Sequence, residues 1–266
     1  MGKTQQIIRR RVDELRQNMF VIHQLVIRDK KRSLSSTFMG ELWEVINPLI
    51  NMVVMVLVFG KMIGNNTINR FPLFVLTGTV IYELFTSGTT MCLNCLIENK
   101  GFLLKTKIGK NVYVLEKILL AYRNFLFSLL IYFFVIALYR ISPSVTWLLV
   151  IIDILLLFIL MIGIGKILAV INVTLADVTY FYKIFTLMLM YGSAIFYQAD
   201  RLSPLMQKCM LANPLYIAIT IARNCVMNNL VPDMNLWLIL GGYASCVYMI
   251  GTIFLNSRIE DIIAEI

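Results

Sequence analysis

The sequence predicts an all-α, polytopic membrane protein, and three observations carry that prediction. Hydrophobic residues make up 59% of the 266 and charged residues only 15%, against about 25% charge in soluble domains. The mean hydropathy is +0.79. Uncharged apolar runs recur along the chain, and runs of roughly 20 residues cross a bilayer as helices, whose backbone polar groups are all paired internally. Subtracting several such spans leaves no length for a separate soluble catalytic domain.

The first 44 residues are different. Lys3, Arg9, Arg10, Arg11, Arg16, Arg28, Lys30, Lys31 and Arg32 are interleaved with Ile7, Ile8, Val12, Leu15, Met19, Ile22, Leu25 and Val26. The apolar positions recur at steps of three and four, the period of a helix lying in the membrane surface with its basic face toward anionic headgroups. No short apolar core with a small-residue cleavage site precedes it, so the first span is expected to direct insertion itself. Residues 1–44 are therefore expected to form a cytoplasmic interfacial segment, 45–256 a transmembrane domain and 257–266 a short cytoplasmic tail. Gly40 to Pro48 is the entry to the bilayer. Trp43 suits headgroup level, with Asn47 beside it, and Pro48 suits a first helical turn, where a missing N–H costs nothing.

Six spans follow, at about 46–63, 71–94, 119–139, 145–171, 180–198 and 235–255. Placing both termini inside puts 18 of the 24 Lys and Arg on the cytoplasmic side, the distribution the positive-inside rule favours. The connection between spans five and six, 199–232, is not an ordinary loop. Residues 206–223 are largely apolar yet interrupted at Pro214, and each half is too short to cross. They are expected to form a re-entrant hairpin, stable at membrane depth when packed on protein or lining a wet cavity. A seventh span would place the C-terminus outside with no gain in charge bias.

The inner connection 97–117 joins a short apolar knob, Phe102 to Leu104, to a cluster of lysines. Apolar anchors with a basic rim fit a groove on a soluble partner; the same lysines also satisfy the positive-inside rule with no partner at all. Ionisable residues inside spans are functional candidates because they are costly in lipid. Here they are Glu83, Asp153, Arg123 and Lys166, with helix pairing and snorkelling as their alternative roles.

Enzymatic constellations are missing. His23 is the only histidine, which leaves no His-based zinc site and no Ser/His/Asp triad. Cys92 and Cys95 form a lone Cys-x-x-Cys without a second pair. Gly163-Ile-Gly-Lys lacks the first glycine and the Ser/Thr of a phosphate loop. No metal site, cofactor site or nucleic-acid motif is expected in this chain.

Gly40-x-Leu-Trp-x-x-x-Asn-Pro, Phe71-Pro-Leu-Phe-x-Leu-Thr-Gly, Leu103-Leu-Lys, Asp177, Ser193-Ala-Ile-Phe-Tyr and Asn213-Pro-Leu with Arg223 occur in order along nearly the whole chain. Together they resemble the permease subunits of ABC-2 polysaccharide and polyol phosphate exporters, which export O-antigen, capsular and rhamnan-type polysaccharides or teichoic acid. The resemblance implies a six-span ABC-2 permease in a bacterial plasma membrane, a homodimer working with two ABC ATPase subunits that bind ATP and Mg. The substrate it implies is a lipid-linked glycopolymer. An ABC-2 drug or lipid exporter and a membrane-embedded glycan transferase are the alternatives. It further implies coupling to the ATPase through Asn99, Gly101, Leu103, Leu104 and Lys105, and an outer gate hairpin containing Asn213, Pro214 and Arg223. Ala176 stands where this family usually has an arginine. For a sliding sugar chain, aromatic side chains offer broad, weak contacts. Tyr191, Phe196 and Tyr197 in span five are the expected pathway residues, with Phe59, Tyr82 and Phe85 as neighbours.

Overall fold

A computed structural model describes residues 3–34, 46, 49–50, 53–54, 57–58, 70–105 and 109–258, with the backbone only for 3–15, 32–34 and 104–105. Trp43, Asn47, Pro48, Phe59 and most of the first expected span lie outside the described residues, as does all but the start of the C-terminal tail. Among the described residues the elements are helical. They are α1 (Lys3–Leu34), α2 (Phe71–Leu93), α3 (Cys95–Glu98), α4 (Lys100–Lys105), α5 (Asn111–Leu138), α6 (Leu149–Thr174, entered through a 3-10 turn from Val145), α7 (Val178–Gly192), α8 (Pro204–Met210), α9 (Pro214–Val226) and α10 (Met234–Ser257).

Helix α2 is the centre of the bundle, packed by α5, α6 and α9. Its polar residues are made compatible with that burial locally. The hydroxyls of Thr77, Thr86 and Thr89 donate to the carbonyls of Leu73, Tyr82 and Phe85, one turn back, so these three hydroxyls are satisfied within the helix. Helices α6 and α10 form the closest pair. A Cβ on Gly163 would sit 2.6 Å from the Tyr248 nitrogen, so the crossing requires a residue without a side chain there.

Four helices among the described residues are long and apolar enough to cross a membrane: α2, α5, Val145–Thr174 and α10. They coincide with the second, third, fourth and sixth expected spans, and the protein is a multi-pass membrane protein. Two expectations need correcting. The fifth span does not run to 198, because α7 stops at Gly192 after 15 residues and the chain turns at Ala194, which adopts the left-handed conformation at φ 49°. Residues 97–117 are mostly not loop either: α3 and α4 are helical turns, and α5 already begins at Asn111, eight residues before the expected start. Lys117 is therefore a helix residue inside the bundle.

Helices α8 and α9 occupy the stretch expected to form a hairpin and are bent by 97° at the break between them, the geometry of a re-entrant loop or of a broken span. Both begin with a capping side chain followed by proline. Ser203 accepts from the Met206 N–H and Asn213 accepts from the Leu215 N–H at 3.0 Å, so Ser-Pro and Asn-Pro define the two starts.

Candidate functional site

Two polar clusters sit at opposite ends of α2. At its C-terminal end the sequence turns through Asn94 and Asn99 into α3 and α4, and three elements converge there. The Lys117 ammonium of α5 donates to Asp29 of α1 at 2.6 Å and to Glu98 of α3 at 2.7 Å, with Glu116 at 4.0 Å. Arg28 pairs with Asp29 at 2.6 Å and donates to the Asn99 side-chain oxygen at 3.0 Å, while Asn99 donates to the Cys95 carbonyl. Burial pushes the Asp29 carboxyl up, but the Lys117 ammonium and Arg28 guanidinium outweigh it and hold it below the ordinary carboxylate value. The buried apolar residues Ile22 and Leu25 bring α1 against α5, and the ion pairs fix its register there. A motion of α1 or of the α3–α4 elbow is thus mechanically tied to the foot of α5.

At the N-terminal end of α2 the cluster is built differently. Arg223 of α9 is buried, and its guanidinium donates to three main-chain carbonyls: Ala194 at 2.8 Å, Phe74 at 3.0 Å and Ile195 at 3.0 Å. It lies flat on the Phe74 ring, 3.4 Å from the centroid, a cation–π contact of the desolvated kind. Asn213, the α9 cap, donates to the Gly192 carbonyl and the Ser193 hydroxyl. The hairpin is thereby fastened to the end of α7 and the start of α2. The left-handed Ala194, whose conformation costs about 1–2 kcal/mol, is held in place because its carbonyl is one of the Arg223 acceptors.

Between the clusters a groove of about 460 Å³ opens along α2 and α5, with Glu83, Thr86, Ser87 and Thr90 facing Asn124 and Ser128. Helices α2 and α7 are joined by tyrosines: Tyr82 donates to the Thr186 carbonyl and Tyr182 to the Thr89 hydroxyl.

The family model described as ABC-2 type transporter matches residues 21–227, from the half of α1 that carries Asp29 to the end of α9, and so includes both clusters. The chain belongs to the ABC-2 type transporter family. Among curated relatives of this ABC-2 protein, an O-antigen export system permease protein RfbA of Klebsiella pneumoniae is 25% identical over 206 residues, 76% of this chain and 78% of the relative. A protein of the same name from Myxococcus xanthus is 24% identical over 256 residues, 95% of this chain and 97% of the relative.

The ABC-2 chain distributes its expected site residues unevenly. At the α3–α4 elbow, Asn99 is buried and works through Arg28, and Gly101 faces open space. Leu103 is buried against the protein's own core, so the large apolar side chain this elbow presents outward is Phe102, 50% exposed. Arg28 stands over its ring at 5.9 Å. Leu104 and Lys105 have only their backbone described. Of the pathway aromatics, Phe85 and Phe196 are each 2% exposed and pack in the core, which leaves them no face for a sliding ligand. Tyr191 is 55% exposed, and Tyr197 donates to the Tyr191 carbonyl at 2.7 Å. Asp153 and Lys166 face protein, whereas Glu83 lines the groove: Lys166 donates to Thr252 and covers the Tyr248 ring, and Asp153 is buried.

Sequence reasoning missed two features of this ABC-2 protein. The Lys117–Asp29–Glu98 cluster joins residues up to 88 apart in sequence, and no local pattern signals it. The polar groove does have a signal, Glu83, Ser87 and Thr90 with Asn124 and Ser128, small polar residues at helical steps on two neighbouring spans.

Proposed function

We infer that this chain is the membrane subunit of an ATP-driven exporter that moves a lipid-linked polysaccharide from the cytoplasm to the outer face of a bacterial plasma membrane. The observation that carries the reading is the family match running through both polar clusters, together with relatives along 95% of the chain that are named for O-antigen export. The α1 end faces the cytoplasm, as the charge distribution favours, and the α8–α9 hairpin faces outward. Two copies of the chain work with two ATPase subunits, which hold ATP and Mg. The α3–α4 elbow receives the ATPase through Phe102 and its basic flank, with Asn99 and Gly101 shaping the turn. Closure of the ATPase pair biases a two-state bundle, because the elbow, α1 and α5 share Lys117.

The test is removal of the gene from a host that displays a surface glycopolymer. The expected result is loss of surface polymer with intracellular build-up of the lipid-linked form, restored by the intact gene. Normal surface polymer with loss of drug or lipid efflux would overturn the glycan reading and favour the other branch of the ABC-2 family.

A further inference from the structure

A second cavity, about 220 Å³ and open on one side, lies at the α9 end and is lined by one copy of the chain. Its walls are the start of α2 at Phe74, the segment after the Ala194 turn with Gln198 and Asp200, and one face of α9. Tyr216, Thr220, Arg223 and Asn224 recur there at steps of four, three and one, which places them on a single side of the helix. Thr220, Arg223 and Asn224 already make hydrogen bonds within the protein, and part of the capacity of this wall is unused. The Gln198, Asp200 and Tyr216 side chains form no hydrogen bond or ion pair among the described residues, and the Nε of Arg223, a residue 92% buried by its 8% exposure, has no partner. No described carboxylate lies within ion-pair distance of that guanidinium. The unpartnered Nε of the buried Arg223 is costly unless something completes it, and the half-buried Gln198 and Tyr216 with the exposed Asp200 stand beside it.

We propose that this cavity is a binding site for a single neutral sugar ring of the exported polymer, its hydroxyls bridging Asp200, Gln198, Tyr216 and Asn224 beside the Arg223–Phe74 pair. The identity of the ligand rests on the export reading above. The chemistry of the wall selects the class. It holds a carboxylate acceptor and amide and guanidinium donors together, and a ring carrying several hydroxyls, each of which both donates and accepts, satisfies both kinds at once. A phosphate or carboxylate would gain from Arg223 but would meet the like charge of Asp200. The volume is below the roughly 300–1,000 Å³ of sites for drug-sized ligands, which suits one ring rather than a stretch of chain. A weak site for single units at the exit would hold the polymer in steps without trapping it.

The experiment is saturation-transfer NMR on the full chain in lipid nanodiscs, with methyl α-D-mannopyranoside and methyl α-L-rhamnopyranoside as probes and inorganic phosphate as competitor. At least one glycoside should bind in the millimolar range, phosphate should not displace it, and Asp200→Ala and Gln198→Ala should each weaken binding about fivefold, the loss of one hydrogen bond. Both residues are at least partly solvent-exposed, and the melting temperatures of both variants should match the parent. Displacement by phosphate, equal binding by the variants, or no glycoside binding up to about 100 mM would each overturn the site. Surface polymer in the gene-deletion strain judges the export reading separately: glycoside binding without an export defect keeps the site and removes the reading, and the converse keeps the reading and removes the site.

Discussion

The Lys117 and Arg223 clusters both bury a cation at an end of α2, yet they solve the problem in opposite ways. Lys117 is neutralised by carboxylates from two other elements, one of them, Glu98, 41% exposed at its side chain. Among the described residues Arg223 meets main-chain carbonyls and an aromatic face. Ion pairs of side chains can open toward water, exchange partners and close again at modest cost, because each charge regains hydration as it separates. Carbonyls at a sharp turn have nowhere to go if their donor leaves. The contrast assigns the α1 end to motion and the hairpin end to fixed geometry, and it can be broken by substitution.

The largest effect is expected at Arg223. Arg223→Leu removes the donor from the Phe74, Ala194 and Ile195 carbonyls at once and leaves the left-handed turn at Ala194 unsupported. A loss of about 3–5 kcal/mol is expected, read as a fall in detergent melting temperature with early proteolysis between α7 and α9. Arg223→Lys should recover only part, since an ammonium cannot span three carbonyls in the plane of a guanidinium. A Leu variant as stable as the parent would remove the fixed role of this end. Gly163→Val provides a measure of pure packing loss away from both clusters. Its side chain would meet the α10 backbone at 2.6 Å, and about 2–3 kcal/mol should be lost by overpacking with no change in the hydrogen exchange of α1.

How much of this was legible beforehand divides along the same line. The break between α8 and α9 was readable because its signals are local: Pro214 breaks an apolar stretch, Asn213 precedes it as a cap, and Arg223 ends it. Four spans were readable from apolar length alone. The ending of α7 at Gly192 was not, because residues 193–197 are as apolar as those before them and the turn is imposed by Asn213 and Arg223 from another helix. Leu103 and Phe102 are adjacent and equally apolar, and only tertiary packing decides which of them turns inward. The Lys117 cluster required knowing that α1 folds back on α5.

A double-mutant cycle sharpens the mobile half of the comparison. Lys117→Met alone leaves Asp29 with Arg28 as its remaining partner and Glu98 to water and should cost about 2 kcal/mol, while Lys117→Met with Asp29→Asn should cost less than the sum, a coupling of about 1 kcal/mol or more. Acid gives the same answer without mutation. Because the folded carboxyl of Asp29 is held below its ordinary value, its contribution is complete above the unfolded value near pH 4 and is lost as pH falls through the folded one. Hydrogen exchange in α1 should therefore rise below about pH 4, before exchange in α9 does. Simultaneous loosening of α1 and α9 would mean that the two ends are one cooperative unit.

The smallest effect on stability, and the most informative about transport, is expected from the aromatic residues beside the hairpin. Tyr191 and Phe196 have ring centroids 6.3 Å apart, but one ring is mostly exposed and the other is packed in the core. Phe196→Ala opens a cavity in the core and should cost about 3 kcal/mol, so any loss of surface polymer in that variant would report unfolding. Tyr191→Ala removes an exposed ring whose backbone carbonyl, not its side chain, is used by Tyr197, and stability should change by less than about 0.5 kcal/mol. On the export reading, surface polymer should nevertheless fall in Tyr191→Ala and recover in Tyr191→Trp, since a flat apolar face is what a sugar ring needs. Unchanged polymer in Tyr191→Ala, at parental protein levels, would take the route of the glycan away from α7 and toward the polar groove between α2 and α5.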